Sequence, residues 1–343
     1  MKHRVALGSL YLKDDVSGAP WISFVVPAYN AEKTLQVAVE SILGQSGASF
    51  EIIVVDDGST DGTLSVAAAL AARYDTVKVL TQTNAGTGAA LNSGRGVACG
   101  EHICSVDADD ELAEDYLATM RSFVDEYPGY DIYSHELLRV LPGGEESRVF
   151  EWDEVRSITF DEFLREGRVV GPGTIMRRQY LEALGGYSET THNEDYELWL
   201  RAFAAGARHI YCPKPLYRYH QGLTQKTGDR LKVYQSLVEI LEEFLPDATL
   251  SRQQREHAES YLAVSRQFVK DIPVYGDLAD SLMESRAEAE AAGLRNVLCR
   301  LLGVRAAEVV LNWIHRISWI ARPVRERLWR WRARVHHRRG SGA

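Results

Sequence analysis

Cysteine is scarce. Cys99, Cys104, Cys212 and Cys299 are the only four in 343 residues, and no two form a CxxC pair. That excludes a zinc ribbon or disulfide framework and fits reduced thiols in a cytosol-facing protein. Long apolar runs are missing too. No stretch reaches about 18 apolar residues, so no helix is expected to span a bilayer. The opening MKHRVALGSLYLKDD lacks the apolar core of a signal peptide, so no leader is expected. Neither GxGxxG nor a GxxxxGK loop ending in Ser or Thr occurs, which leaves a dinucleotide fold and a P-loop without support. Lysine is absent from the last 44 residues.

What is present is an ordinary globular balance, 45% apolar and 25% charged. The length suits one α/β catalytic domain with an appendage. The net charge of −9 is unevenly spread. Residues 300–343 hold eleven Arg against Glu308 and Glu326, a net +9, which leaves −18 on residues 1–299. An acidic body with an Arg-rich tail points the tail at something anionic.

Residues 1–20 read as a loose arm. Four apolar runs follow, at 21–26, 50–55, 77–80 and 101–106, each the pattern of a strand buried on both faces. Helical spacing separates them: Leu35, Val39, Ile42 and Leu43, then a stretch capped by Asp61, then the small residues of 87–98. This alternation predicts right-handed βαβ units in a doubly wound, mostly parallel sheet. Ligands of such sheets sit beyond the carboxyl ends of the strands. Further on, 131–139 and 148–152 flank Leu-Pro-Gly-Gly and read as a β-hairpin. A short strand is expected at 174–176, a helix at 194–205, a soft boundary near Gly228, and helix beyond about 229.

The strand ends carry the polar clusters. Asp56 and Asp57 close the second run, where a carboxylate can accept hydrogen bonds from a base or ribose; Gly58 already supplies the turn. Asp107, Asp109 and Asp110 close the fourth. Three carboxylates within four residues repel one another unless a positive charge sits among them, and hard oxygens suit Mg²⁺ or Mn²⁺. A solvated acidic loop is the plain alternative. Between them, the glycines of 84–94 lead into a helix N-terminus, which favours an anion. Glu194 and Asp195 open a helix, where acids also serve the dipole. Trp199 and Leu200 read as core, and Gly185-Gly186-Tyr187 as a turn.

Six segments taken together resemble the family 2 glycosyltransferases, inverting enzymes of the GT-A fold. They are Val25-Val-Pro-Ala-Tyr-Asn30, Val55-Asp-Asp-Gly-Ser-Thr60, the Asn84 to Asn92 stretch, Asp107-Ala-Asp109-Asp110, Asn193 to Arg201, and Tyr217-Arg-Tyr-His220. They stand in the family's order between Ser23 and about Thr224. The resemblance implies that Pro27, Tyr29 and Asp57 line the pocket for the base, with Glu32 near the ribose. It places Asn84 and Asn92 in the nucleotide-sugar segment and Asp107 on the ribose and diphosphate side. Asp109, with Asp110 and His220, would hold the metal, and Asp195 of the Glu194-Asp195 pair would be the general base. His220 as an ordinary loop histidine stays open.

In the tail, Trp313, Ile317, Ile320, Val324, Leu328, Trp331 and Val335 recur at steps of three and four, with arginines over much of the remainder. That describes a helix lying in a membrane interface. Packing on the acidic body or on a second copy of the chain is the alternative, and no nucleic-acid fold surrounds the stripe.

The domains expected are an arm (1–20), a GT-A domain (21–228), a helical region (229–300) and basic amphipathic helices (301–343). The function expected is metal-dependent, inverting transfer from a nucleotide sugar, with UDP as the nucleotide, to a glycan or lipid-linked acceptor at the cytoplasmic face of the cell membrane. Rivals are transfer to a soluble acceptor, a silent nucleotide-sugar-binding scaffold and a nucleotidyltransferase. No triphosphate loop supports the last.

Overall fold

The computed structural model describes residues 18–141, 143–166, 170–220 and 230–284. The expected arm up to residue 17, the boundary near Gly228, Cys299 and the basic tail lie outside the described residues.

The four apolar runs become strands Ile22–Ala28 (β1), Phe50–Asp56 (β2), Val77–Thr81 (β3) and His102–Ser105 (β4). Helices Leu35–Leu43 (α1), Thr63–Arg73 (α2) and Thr87–Val97 (α3) alternate with them. The strands pair in parallel in the order β3-β2-β1-β4. Consecutive residues of β1 and β2 are buried, so both faces of this half-sheet are covered, as parallel pairing requires. Register places Ala28 beside Asp56 and Asp56 beside Thr81, which brings the polar strand ends to one edge.

Beyond β4 the sheet becomes mixed. The later elements are Glu111–Leu112 (β5), Tyr116–Glu126 (α4), Ile132–Val140 (β6), Glu146–Arg148 (β7), Phe160–Glu166 (α5), Ile175–Arg177 (β8), Arg178–Ala183 (α6), Glu194–Ala204 (α7) and His209–His220 (β9). The order continues β4-β8-β6-β9-β5, with β7 on the edge of β6. β8 runs antiparallel to both its neighbours, and β6 and β9 are parallel. The periodicity gave no strand at 209–216. Pro213 and Pro215 cannot donate to a ladder, and the β6–β9 register shifts at Glu136, opposite Pro215.

The expected hairpin exists, but its second strand is only Glu146–Arg148, paired with Leu138 to Val140. The reason is Glu136, which is fully buried. Its Oε1 accepts the N–H groups of Leu137 (2.9 Å), Val149 (3.2 Å) and Phe150 (2.8 Å). Its Oε2 accepts Glu151 N–H (2.6 Å) and Arg148 Nε–H (3.1 Å). The carboxylate thus stands in for a partner strand at 150 and 151, while Val149 N–H is shared with the Leu137 carbonyl at 3.0 Å. Glu136→Gln turns one acceptor into a donor aimed at two donors, so it is expected to cost about 2–4 kcal/mol in a urea melt.

Two buried histidines make stability depend on pH. His102 packs on Trp21 with ring centroids 4.8 Å apart; its Nδ1 faces the Trp21 carbonyl and its Nε2 is buried without a partner. Burial pulls its pKa down to about 4. His209 receives Ile158 N–H at Nδ1, so Nε2 carries the proton and donates to Ser134 Oγ at 2.6 Å. Burial pulls its pKa to about 3. Unfolded, both titrate near 6.5. Below that value the unfolded chain binds the extra protons. This stability is therefore full above pH 6.5 and lost as pH falls toward 4, by up to ~1.4 kcal/mol per pH unit per histidine. Denaturant melts between pH 7 and 4.5 check it, and His102→Gln is expected to flatten the slope.

Among the described residues the chain divides into two compact units. One holds the sheet and its helices, residues 18–220, together with Phe244–Ala258. The other holds most of helix Arg230–Phe244 (α8) and the part of helix Arg252–Glu284 (α9) from Glu259 onward. Within the second unit the Tyr234 and Phe268 rings meet at 4.5 Å, and Arg266 pairs with Glu242. No helix among the described residues is long and apolar enough to cross a membrane.

Candidate active site at the strand ends

The loop after β1 is tied to the loop after β2. Asn30 has a left-handed backbone (φ 51°), and its Oδ1 accepts Thr60 N–H at 2.8 Å while its own N–H donates to Ser59 Oγ at 3.0 Å. This holds Tyr29 with its side chain 52% exposed, ready to present a ring face, beside half-buried Pro27. Glu32 accepts Gly62 N–H at 3.1 Å and donates its own N–H to Asp61, so its carboxylate braces this junction. Asp61 accepts Thr63 N–H at 3.0 Å from one residue before the N-cap of α2, which is Gly62; hydrogen bonds from Thr63 hold its carboxyl below the usual range.

Asp57 is buried and aims at the next loop. It accepts Gln82 Nε2–H (2.8 Å), Ala85 N–H (2.9 Å) and Gly86 N–H (2.8 Å). It therefore shapes the turn that carries exposed Asn84 into α3. Gly58 (φ +70°) lets that turn close, since a Cβ there would sit 2.6 Å from Asn84 N. Asn92 lies one helical stretch further on and reaches elsewhere: it clasps the backbone of Tyr187 rather than the 82–86 loop.

The acidic turn after β4 is built as a group. Asp107 N–H donates to the Tyr217 hydroxyl at 3.1 Å. Asp110 is 1% exposed; its Oδ1 accepts His220 N–H at 2.8 Å, the Tyr217 hydroxyl lies against its carboxyl, and its Oδ2 is buried without a well-aligned hydrogen-bond partner. Burial, reinforced by the charges of Asp107 and Asp109, holds the Asp110 carboxyl well above the usual range. The group is thus short of positive charge. His220 joins it through its backbone, while its ring Nε2 meets Glu111 Oε1 at 2.7 Å. Among the described residues no three His, Cys, Asp or Glu side chains already form a cation-holding set.

The α7 helix begins with buried Glu194 and exposed Asp195. Asp195 Oδ1 accepts the Tyr196 N–H at 2.7 Å, so the carboxylate also serves its helix end. Trp199 and Leu200 are core, as expected. Sequence reasoning missed Gln82, Ser105, Glu111 and the role of Tyr187. The Tyr187 phenol reaches Ser105 and feels the charges of Glu194 and Asp195, and burial pushes it up. The only signal for it was its place beside the glycine pair.

This half-parallel, half-mixed sheet, with an acidic turn at its switch point, is the GT-A glycosyltransferase architecture. Two solved structures share the fold. S. aureus TarS 1–349 in complex with UDP-GlcNAc aligns with a TM-score of 0.60 at 23% identity, covering 75% of each chain. The mannosyltransferase PcManGT of Pyrobaculum calidifontis, in complex with GDP-Man and Mn²⁺, aligns at 0.57 and 20% identity, covering 86% of each. In sequence, the pattern of Glycosyl transferase family 2 matches residues 23–185. The putative glycosyltransferase EpsE of Bacillus subtilis (strain 168) is 31% identical over 218 residues, 60% of this chain and 75% of EpsE. The succinoglycan biosynthesis protein ExoO of Rhizobium meliloti (strain 1021) is 33% identical over 218 residues, 60% of this chain and 62% of ExoO.

The chain belongs to glycosyl transferase family 2, and it is a glycosyltransferase.

Proposed function

We propose that the protein is a metal-dependent, inverting glycosyltransferase that moves a sugar from a nucleotide-sugar donor, with UDP as the nucleotide, to a glycan or lipid-linked acceptor in envelope polysaccharide or glycolipid assembly. The observation that carries the chemistry is the turn from Asp107 to Asp110 at the carboxyl end of β4, where the buried Asp110 Oδ2 has no well-aligned hydrogen-bond partner. That donor set fits a hard divalent cation. Asp109, with Asp110 and His220, would hold Mg²⁺ or Mn²⁺. A cation there neutralises negative charge on a departing nucleoside diphosphate. Similarity to ExoO, a succinoglycan biosynthesis protein, and to AmsB, an amylovoran biosynthesis glycosyltransferase of Erwinia amylovora, supports a polysaccharide product.

The chain's own residues supply the rest. Tyr29 and Pro27 offer a face for the base, and Asp57 sets the 82–86 loop beside it. Asp107 lines the ribose and diphosphate side. Asp195 takes the proton of the acceptor hydroxyl as that oxygen attacks the anomeric carbon. Attack opposite the leaving diphosphate, with no covalent intermediate, inverts the anomeric centre. Glu194, buried next to it, keeps the carboxylate pair at the helix start. The net positive charge of 301–343 suits attachment to the anionic inner face of the cell membrane.

A panel of nucleotide sugars tests this, with Mn²⁺ or Mg²⁺ and anionic vesicles, following nucleoside diphosphate release. Release from one donor that stops on chelation supports the reading. No turnover and no binding of any donor would leave a silent scaffold.

A further inference from the structure

The segment between β8 and α7 does not hang free. The 186–189 turn lies along one face of α3, in antiparallel sense. Gly88 takes the Ser188 carbonyl, Asn92 takes Tyr187 and Glu189, and Arg95 lies against Gly186. Positions 88, 92 and 95 are spaced at four and three, one helical stripe. Two of the contacts need glycine. A Cβ on Gly88 would overlap the Ser188 carbonyl oxygen, and a Cβ on Gly186 (φ +82°) would overlap Asn92 Oδ1.

Asn92 is the centre of this seam. Its Oδ1 accepts Tyr187 N–H at 2.9 Å, and its Nδ2 donates to the Tyr187 carbonyl at 2.9 Å and to Glu189 Oε1 at 2.8 Å. A side-chain amide pairing with both backbone groups of one residue mimics a strand partner. The same turn is gripped from the other side by α7. Arg201 donates to the carbonyls of Leu184 (2.6 Å) and Gly186 (2.7 Å), and Glu197 fixes its guanidinium. The Tyr187 side chain then extends to Ser105, two residues before the acidic turn, and toward Glu194 and Asp195. A continuous set of hydrogen bonds therefore runs from α3, whose entry loop Asp57 shapes, to the helix that opens with Asp195.

We propose that Asn92 is a positioning residue. It docks the 186–189 turn on α3 and, through that turn and Arg201, sets Asp195 relative to the strand ends where the donor binds. It does so without touching the nucleotide. This rests on the reading of Asp195 as the base. It replaces a nucleotide-contacting role for Asn92 with one on the acceptor side. Both groups that Asn92 satisfies on Tyr187 are backbone groups, so the residue's chemistry is spent on the fold of the turn rather than on ligand.

The test is a double-mutant cycle on the full chain, with Asn92→Ala, Asp195→Asn and the pair. Nucleoside diphosphate release is followed from the donor that the panel identifies. Calorimetric binding of the matching nucleoside diphosphate gives Kd and the number of competent sites. Asn92→Ala is expected to bind with Kd within about twofold of wild type. Its kcat per competent site should fall about 10- to 100-fold. In the Asp195→Asn background the same substitution should add less than about threefold, because both changes disable one device.

A merely structural defect would lower the number of competent sites in step with kcat. That outcome overturns the proposal, as does a Kd weakened tenfold or more. Losses that multiply in the pair overturn it too, while leaving Asp195 as the base. Wild-type turnover by Asp195→Asn alone instead removes the base assignment and the route through it. If Asn92→Ala does not fold, Asn92→Asp keeps the acceptor for Tyr187 N–H but turns the donor into a charged oxygen that repels the Tyr187 carbonyl and Glu189. It is expected to lower kcat at least about 10-fold at unchanged Kd, and a wild-type kcat would overturn the proposal.

Discussion

Asp195→Asn is expected to lower kcat by about 10²- to 10⁴-fold while leaving nucleotide binding within about twofold. The exchange keeps the size of the side chain and an oxygen for the Tyr196 N–H, so the α7 start stays satisfied. What it removes is the negative charge and the ability to take a proton. Asp195 is exposed while Glu194 is buried, so the neighbouring acid does not stand in for it. Single-turnover release of nucleoside diphosphate, beside calorimetric binding, separates the two quantities. A loss confined to KM would remove Asp195 from the proton transfer and return it to a helix cap.

Asp109→Ala is expected to act on the other side of the same bond. The protein is expected to stay folded, since Asp109 is half-exposed. Turnover should fall by about 10²-fold or more, equivalent to ~3 kcal/mol of stabilisation lost from the leaving diphosphate. Donor affinity should also lose its dependence on added Mn²⁺ or Mg²⁺. Titrating the metal into wild type and variant, with intrinsic fluorescence and donor binding as readouts, tests this without relying on activity. Equal metal response in both proteins would take Asp109 out of the cation site.

Much of this arrangement could be read in advance, and the reason is physical. The parallel half of the sheet is buried on both faces, so its strands must be continuous apolar runs, and their ends must carry whatever is polar. Asp57 and the acidic turn stand out for that reason, whereas Asp195, at the start of α7, is picked out by the family resemblance alone. The second half was harder. β9 contains Pro213 and Pro215, which hide a 12-residue strand from any alternation rule. The 149–152 segment reads as strand because its residues favour extended backbone, yet after Val149, whose N–H is shared with the Leu137 carbonyl, the N–H groups of Phe150 and Glu151 go to a side chain, Glu136. Asn92 shows a different limit. Spacing placed it on the helix after the glycine-rich loop, but only the folded chain shows that its amide turns to Tyr187, 95 positions away.

The Glu136 knot has a consequence for how such an enzyme can diversify. A segment held by a strand partner must keep an alternating pattern along its whole length. Residues 150 and 151 escape that demand, because a single carboxylate anchors their backbone from beneath. Val149 and Phe150 still pack on the core, so the freedom falls to Glu151 and to the exposed connection 153–155. Mutations there can change the surface one residue at a time while the scaffold below keeps its shape, provided that one glutamate stays.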